Sequence, residues 1–293
     1  MYRTVTLTDI DRITLYACDH YMFQSEQDLQ IENLPHFSLV QLHEILTDQQ
    51  LAEILLRFLI IMAFVDGVID EAKLALVLEY AAGLNIHATY LDDLRATAEH
   101  RLTWVIADMN RRNVESITGQ SWMGKNVMDW ISPYRGKAEP ERIARYHKLR
   151  YLPEGTLGRA FWEFYQQQGY RFPGEADGLN ERFAIPHDVT HILCGYDTSP
   201  RDEILVSTFT AAMHPYEPMA GHILPIIYTW HLGITFNDVA KSATGALDPE
   251  HFWQVWAAGS QMQVDLFSPD WNFWDVAGER VEALRQEYGL NIG

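Results

Sequence analysis

At 293 residues, 47% hydrophobic and 21% charged, the chain has the composition of a globular protein able to bury a substantial core, and disorder is not expected. Forty acidic against 22 basic residues give a formal net charge of −18, which provides no electrostatic footprint for nucleic acid and disfavours attraction to an anionic membrane. Any membrane contact is therefore expected to be apolar and local.

The N-terminal stretch "MYRTVTLTDIDRI" lacks the long apolar core of a signal peptide. The most apolar run, "ILLRFLIIMAFV", carries Arg57 and falls short of the roughly 20 residues that span a bilayer. Cys18 and Cys194 suit a reducing compartment without a disulfide framework, and Cys194 is expected to be a small buried hydrophobe. The expected location is cytoplasmic, at most peripheral to the inner membrane, with no transmembrane span.

In chain order, a segment covering 1–44 precedes a run of helices. "LTDQQLAEILLRFLIIMAFVDG" predicts a helix with Thr47 as N-cap and Asp66-Gly67 as its terminating turn, apolar on most sides. "IDEAKLALVLEYAAGL" predicts a second, with Asp70 as N-cap and Gly83 as C-cap. A third is expected over "TYLDDLRATAEHRLTWVIADMN", and consecutive helices with short joints are the pattern of a small bundle. Around "VDGVIDE" the chain resembles the tellurite-resistance TerB-like helical module, over about residues 45–115. That resemblance implies metal binding through Asp66, Asp70 and Glu71. A turn plus an acidic helix start, favoured by the helix dipole, explains the same residues.

The pattern weakens over about 113–142, rich in Gly, Ser, Pro and Asn, and residues 116–140 are expected to be a connector with short helical pieces. From there to residue 293 the chain is expected to form a larger helical domain, so the predicted fold class is all-α. Within it, Pro153 to Thr156 make a turn and cap before the amphipathic "LGRAFWEFYQQQ". The loop "YRFPGEADGLNERFAIP" then leads to a helix predicted to start at Pro186, run through "HDVTHILC" and stop at Gly195.

On that helix His187 and His191 are one turn apart, and Asp188 and His191 are three residues apart, so the three side chains can share a face. Ser199-Pro200 predicts an N-cap and first turn for the next helix, and two antiparallel helices would bring Glu203 back alongside the histidines. Two imidazoles with one or two carboxylates suit zinc, iron or manganese; magnesium prefers oxygen surroundings. Spacing alone leaves open the alternative that His187 and His191 are hydrogen-bonded core residues and Glu203 a helix-start carboxylate.

"HDVTH", eleven residues, then Glu203 is similar to the metal motif of the fourth Coq protein family of ubiquinone biosynthesis. "LPEGTLGRAFWEFY" and the tryptophan-bearing stretch "WQVWAAGSQMQVDLFSPDWNFWDVAGERVEALRQEYGL" resemble further segments of that family in the same order, over about residues 140–292. The resemblance implies an all-helical, metal-binding domain whose ligands are His187, Asp188, His191 and Glu203. It also implies an apolar tunnel for an isoprenoid or quinone-precursor lipid and peripheral membrane association. Two functions follow from it: oxidative decarboxylation with hydroxylation at carbon 1 of the precursor ring, or a non-catalytic lipid-binding scaffold that docks other biosynthetic enzymes. The TerB-like half departs from the family's architecture, so substrate and reaction transfer less well than fold and metal site. Self-association stays open.

The run "ILVSTFTAAMHPYEPMAGHILPIIYTWHLGITF", broken by Pro215, Pro218 and Pro225, supplies apolar material for a tunnel, with Met213, Met219 and Met262 as flexible lining or as ordinary core. His214, His222 and His231 are expected to be hydrogen-bonded core or surface residues. A His-Asp phosphohydrolase would need further ligands such as His147 and Asp238, neither in a recognisable context. No Glu-x-x-His, Gly-x-Ser-x-Gly, Gly-x-Gly-x-x-Gly or P-loop pattern occurs.

Overall fold

In the computed structural model, residues 6–25, 29–121, 127–235 and 242–290 are described, apart from the Met128 side chain. The fold is all-α: among the described residues there is no β-strand, only the isolated bridges Thr156–Arg280 and Leu232–Thr244. The helices are α1 Asp9–Cys18, α2 Leu39–Ile45, α3 Gln49–Phe64, α4 Glu71–Gly83, α5 Tyr90–Ala98, α6 Leu102–Thr118, α7 Val127–Ile131 and α8 Pro140–Lys148. They continue with α9 Leu157–Gln168, α10 Glu181–Cys194, α11 Pro200–Met213, α12 Leu224–Ile226, α13 Pro249–Ser260, α14 Phe273–Val276 and α15 Val281–Glu287. None is long and apolar enough to cross a membrane. The chain divides into two compact units, one formed by Met1–Asn110 with Ile223–Gln254, the other by Arg111–His222 with Val255–Gly293.

In the first unit, α3 begins one residue later than its sequence predicts: Asp48, not Thr47, is the N-cap, its carboxylate accepting from Gln50 N at 2.8 Å. Asp70 caps α4 as expected, accepting from the backbone N–H groups of Ala72 and Lys73. Gly83 is the last residue of α4 rather than its left-handed cap. Asn85 takes the positive φ of 54°, and Ile86 N–H closes back on Ala81 O at 2.9 Å. Gly83 serves packing instead, because a Cβ there would stand 3.1 Å from the Leu39 side chain of α2. The single helix expected over residues 89–110 is broken at His100, whose φ of 58° lets Arg101 N–H bond to Ala96 O at 2.8 Å. Chain then restarts as α6, which stays helical to Thr118, past the expected start of the connector.

Lys73 is buried on α4 between two carboxylates, Asp66 Oδ2 at 2.8 Å and Asp11 Oδ1 at 3.2 Å, and so ties α1 to the α3–α4 turn. His231 uses both ring nitrogens: Nδ1 accepts from Leu247 N–H at 3.1 Å, which leaves Nε2–H to donate to Val65 O at 3.2 Å.

The core of the second unit is aromatic. Tyr146, Phe161, Tyr165 and Phe172 form a stacked array, with Tyr165 and Phe172 4.7 Å apart and nearly parallel. It is flanked by Val189 and Leu193 of α10, by Leu205 and Phe209 of α11 and by the C-terminal helices. Cys194 is buried and free, as expected, and burial pushes its thiol above the usual range. Arg285 of α15 donates to Leu193 O at 2.7 Å and Ile192 O at 3.2 Å, fastening α15 to the C-terminus of α10.

Candidate metal centre

The α10 helix starts earlier than its sequence suggests. Asn180 is the N-cap, accepting from Arg182 N at 3.0 Å, and Pro186 lies inside the helix instead of opening it. The missing Pro186 N–H removes one i to i−4 bond, normally a cost of about 3 kcal/mol in a helix interior. The cap at Asn180 and the burial of Ala184, Ile185 and Pro186 outweigh that cost here. Gly195, at φ 75°, ends α10 as predicted, with Gly195 N–H and Tyr196 N–H both returning to His191 O. Ser199 caps α11 and Pro200 occupies its first turn, also as predicted, with Ser199 Oγ accepting from Asp202 N at 3.2 Å.

This local geometry lays α11 along α10 and brings three of the four expected ligands together. His187 Nε2 and His191 Nε2 are 3.2 Å apart, His187 Nε2 lies 3.3 Å from Glu203 Oε2, and His191 Nε2 lies 3.6 Å from Glu203 Oε1. Donor atoms about 2.0–2.2 Å from a tetrahedral metal sit roughly 3.3–3.6 Å apart, against roughly 2.8–3.1 Å for neighbours on an octahedron of the same bond lengths. The three edges follow the tetrahedral spacing more closely. Among the described residues this is the one group of three His, Cys, Asp or Glu side chains so arranged.

The neighbours orient these three side chains. His191 Nδ1–H faces Tyr196 O at 3.4 Å, the carbonyl just beyond the Gly195 cap, which turns the Nε2 lone pair toward the cluster. Phe183 stacks on the His187 ring at 5.5 Å between centroids, and Phe164 lies against His191 at the same separation. Burial disfavours a charged imidazole at His187, but the Glu203 hydrogen bond and the Glu203 and Asp188 charges outweigh it and raise its pKa. Burial likewise opposes ionisation of Glu203, yet its bonds to His187 and His191 hold it down at about 2. The ionised Glu203 carboxylate thus favours a positive charge beside it at His187.

Asp188, the fourth expected ligand, is not part of the cluster. Its Oδ2 accepts a 2.6 Å hydrogen bond from the Tyr165 hydroxyl of α9. Burial raises the pKa of both groups, for the carboxylate against the opposing pull of His187, the Tyr165 bond and His191. Sequence reasoning missed Tyr165 and the Tyr196 carbonyl; the carbonyl was recoverable from the Gly195 stop signal, the Tyr165 contact only from tertiary packing.

The other described polar residues weighed from sequence have partners of their own. Asp66 accepts from Val68 N–H and Lys73, Asp70 caps α4, and Glu71 faces His100 Nε2 at 2.9 Å on the surface; the three do not converge. His147 lies 3.5 Å from Glu175, and Asp238 is outside the described residues. His214 has Asp265 Oδ2 at 2.8 Å on one nitrogen and Ser116 O at 3.2 Å on the other. Ser116 Oγ gives its proton to Tyr216 O at 2.8 Å, so it accepts from His222 Nε2–H at 2.9 Å. Met213 and Met219 are buried and Met262 half-buried.

No protein-family model, no curated protein and no solved structure matches the chain.

Proposed function

We propose that the chain holds a divalent metal with His187, His191 and Glu203, and that the metal serves a prenylated or isoprenoid lipid of the quinone-precursor class. The observation that carries the metal is the convergence of two Nε2 atoms and one carboxylate at 3.2–3.6 Å on two adjoining helices. Zinc, iron and manganese suit two nitrogens and one carboxylate better than magnesium does. The lipid and its chemistry rest on the motif resemblance alone.

Three protein ligands leave a coordination position for an oxygen of the ligand, and a metal bound there supplies Lewis acidity to that oxygen. The chain's own part is to fix the donors. The Tyr196 carbonyl sets the His191 tautomer, Glu203 offsets part of the cationic charge, and the Phe164 and Phe183 rings shield the imidazoles from water. With Asp188 engaged by Tyr165, the open position favours the oxidative decarboxylation implied by the resemblance over a scaffold with a filled metal shell.

Elemental analysis of the purified chain beside the Glu203→Ala and His187→Ala/His191→Ala variants tests the site, with native mass spectrometry for co-purified lipid. Stoichiometric metal in the wild type, absent from both variants, is the expected result. Metal-free wild type that takes up neither zinc, iron nor manganese would overturn it. A metal without any bound isoprenoid would retain the centre and remove the lipid assignment.

A further inference from the structure

The second unit contains a cavity of about 380 Å³ that does not include the three clustered ligands. The α10 side of this cavity is formed by Glu181, Arg182, Ile185 and Pro186. At 3.6 residues per turn, the mean direction of these four lies about 170° around the helix from that of His187 and His191. One helix therefore presents its candidate metal ligands on one face and the cavity wall on the other. The opposite wall comes from the tryptophan-bearing loop and α14, including the rings of Phe267, Trp271 and Trp274.

The charges around this aromatic cavity are unbalanced in an informative way. Glu181 is already engaged by the Arg142 guanidinium and by the Tyr146 hydroxyl. Arg182 is exposed at the edge and has no carboxylate partner among the described residues. Arg145 lies 3.7 Å over the Trp274 ring and, among the described residues, also has no carboxylate partner. Asp270 and Asp275, on the same loop and helix, do not line the cavity. In a chain with 40 acidic and 22 basic residues, the one arginine that lines this aromatic concavity, Arg182, has no carboxylate partner among the described residues, while Arg145 is stacked on the Trp274 ring.

We propose that this cavity is a second ligand site, separate from the His187–His191–Glu203 cluster, for a flat aromatic carboxylate whose ring packs against Phe267, Trp271 and Trp274 while its carboxylate pairs with Arg182. Ring-on-ring packing supplies the apolar contact, and the guanidinium fork supplies the charge-assisted hydrogen bonds that select an acid over a neutral ring. The site does not depend on a metal.

Titration of the full chain with 2-naphthoate, followed by calorimetry and by tryptophan fluorescence, tests the assignment. Saturable one-site binding is expected, weakened about tenfold or more by Arg182→Gln and about tenfold or more when neutral 2-naphthylmethanol replaces the acid. Arg182 is exposed, so the variant keeps its fold. Binding unchanged by a chelator and by Glu203→Ala would place the probe away from the metal ligands, whether or not a metal binds there. No saturable binding at millimolar probe, equal binding of the neutral alcohol, or loss of binding on chelation would each overturn the proposal.

Discussion

The Tyr165 hydroxyl donates to Asp188 Oδ2 at 2.6 Å inside the aromatic core of the second unit. Asp188 thus belongs to a buried hydrogen bond between α9 and α10, although it sits next to His187 in the chain. Tyr165→Phe strands that carboxylate and is expected to destabilise the protein by about 1–3 kcal/mol, the usual penalty for an unpaired buried polar group. Asp188→Asn, which retains an acceptor, should cost less and leave metal content unchanged. Urea unfolding and elemental analysis of the two variants check this; metal lost in Asp188→Asn would return Asp188 to the ligand set.

A second prediction concerns the cluster itself. A metal that binds the folded chain and not the unfolded one stabilises it by about 2.7 kcal/mol at a hundredfold excess over Kd. Zinc added to metal-free protein should raise Tm in the wild type and leave Glu203→Gln unmoved, because the amide keeps the shape of Glu203 and loses its charge. An equal rise in both would mean that zinc acts elsewhere on the chain.

Much of this cluster was legible in the sequence because its determinants are local. One helical turn separates His187 from His191, Gly195 ends the helix, and Ser199-Pro200 starts the next, so a short joint brings Glu203 back. What escaped depends on competition between signals or on distant packing. Pro186 resembles a helix start, yet the Asn180 cap and burial extend α10 past it. His100 carries no strong breaker signal, yet takes a left-handed conformation between α5 and α6. Asp188 has the spacing of a ligand, but a tyrosine 23 residues earlier claims it.

The buried polar trio of the first unit gives a third prediction. Lys73 is 10% exposed and Asp11 2%, and removing one member of such a group leaves buried charge without compensation. Lys73→Met alone should cost about 3–5 kcal/mol, and Lys73→Met combined with Asp11→Leu less than the sum of the two singles, since Asp11→Leu also breaks the α1 capping box in which Asp11 Oδ2 accepts from Thr8 N–H. Denaturant unfolding of the single and double variants measures the difference. A double variant as unstable as the sum of the two singles would show that the ion pair is not what links α1 to α4.

His222 gives the pH dependence. It is buried beside Ser116, and burial, then the nearby His214 and His187, depress its pKa to about 3. In the unfolded chain a histidine titrates near about 6.5. Between these values the unfolded state binds the extra proton, so stability rises with pH across the window and falls as the solution is acidified. One full proton is worth about 1.4 kcal/mol per pH unit and the unfolded histidine is half protonated at pH 6.5, so lowering the pH from 6.5 to 5 should remove about 1.6 kcal/mol through this residue. His222→Gln can still donate to Ser116 Oγ without titrating, and should flatten the acid limb by that amount. Urea unfolding at pH 7, 6 and 5, with chelator present so that metal release does not contribute, provides the comparison. Parallel limbs in wild type and variant would show that His222 is protonated in the folded chain as readily as in the unfolded one.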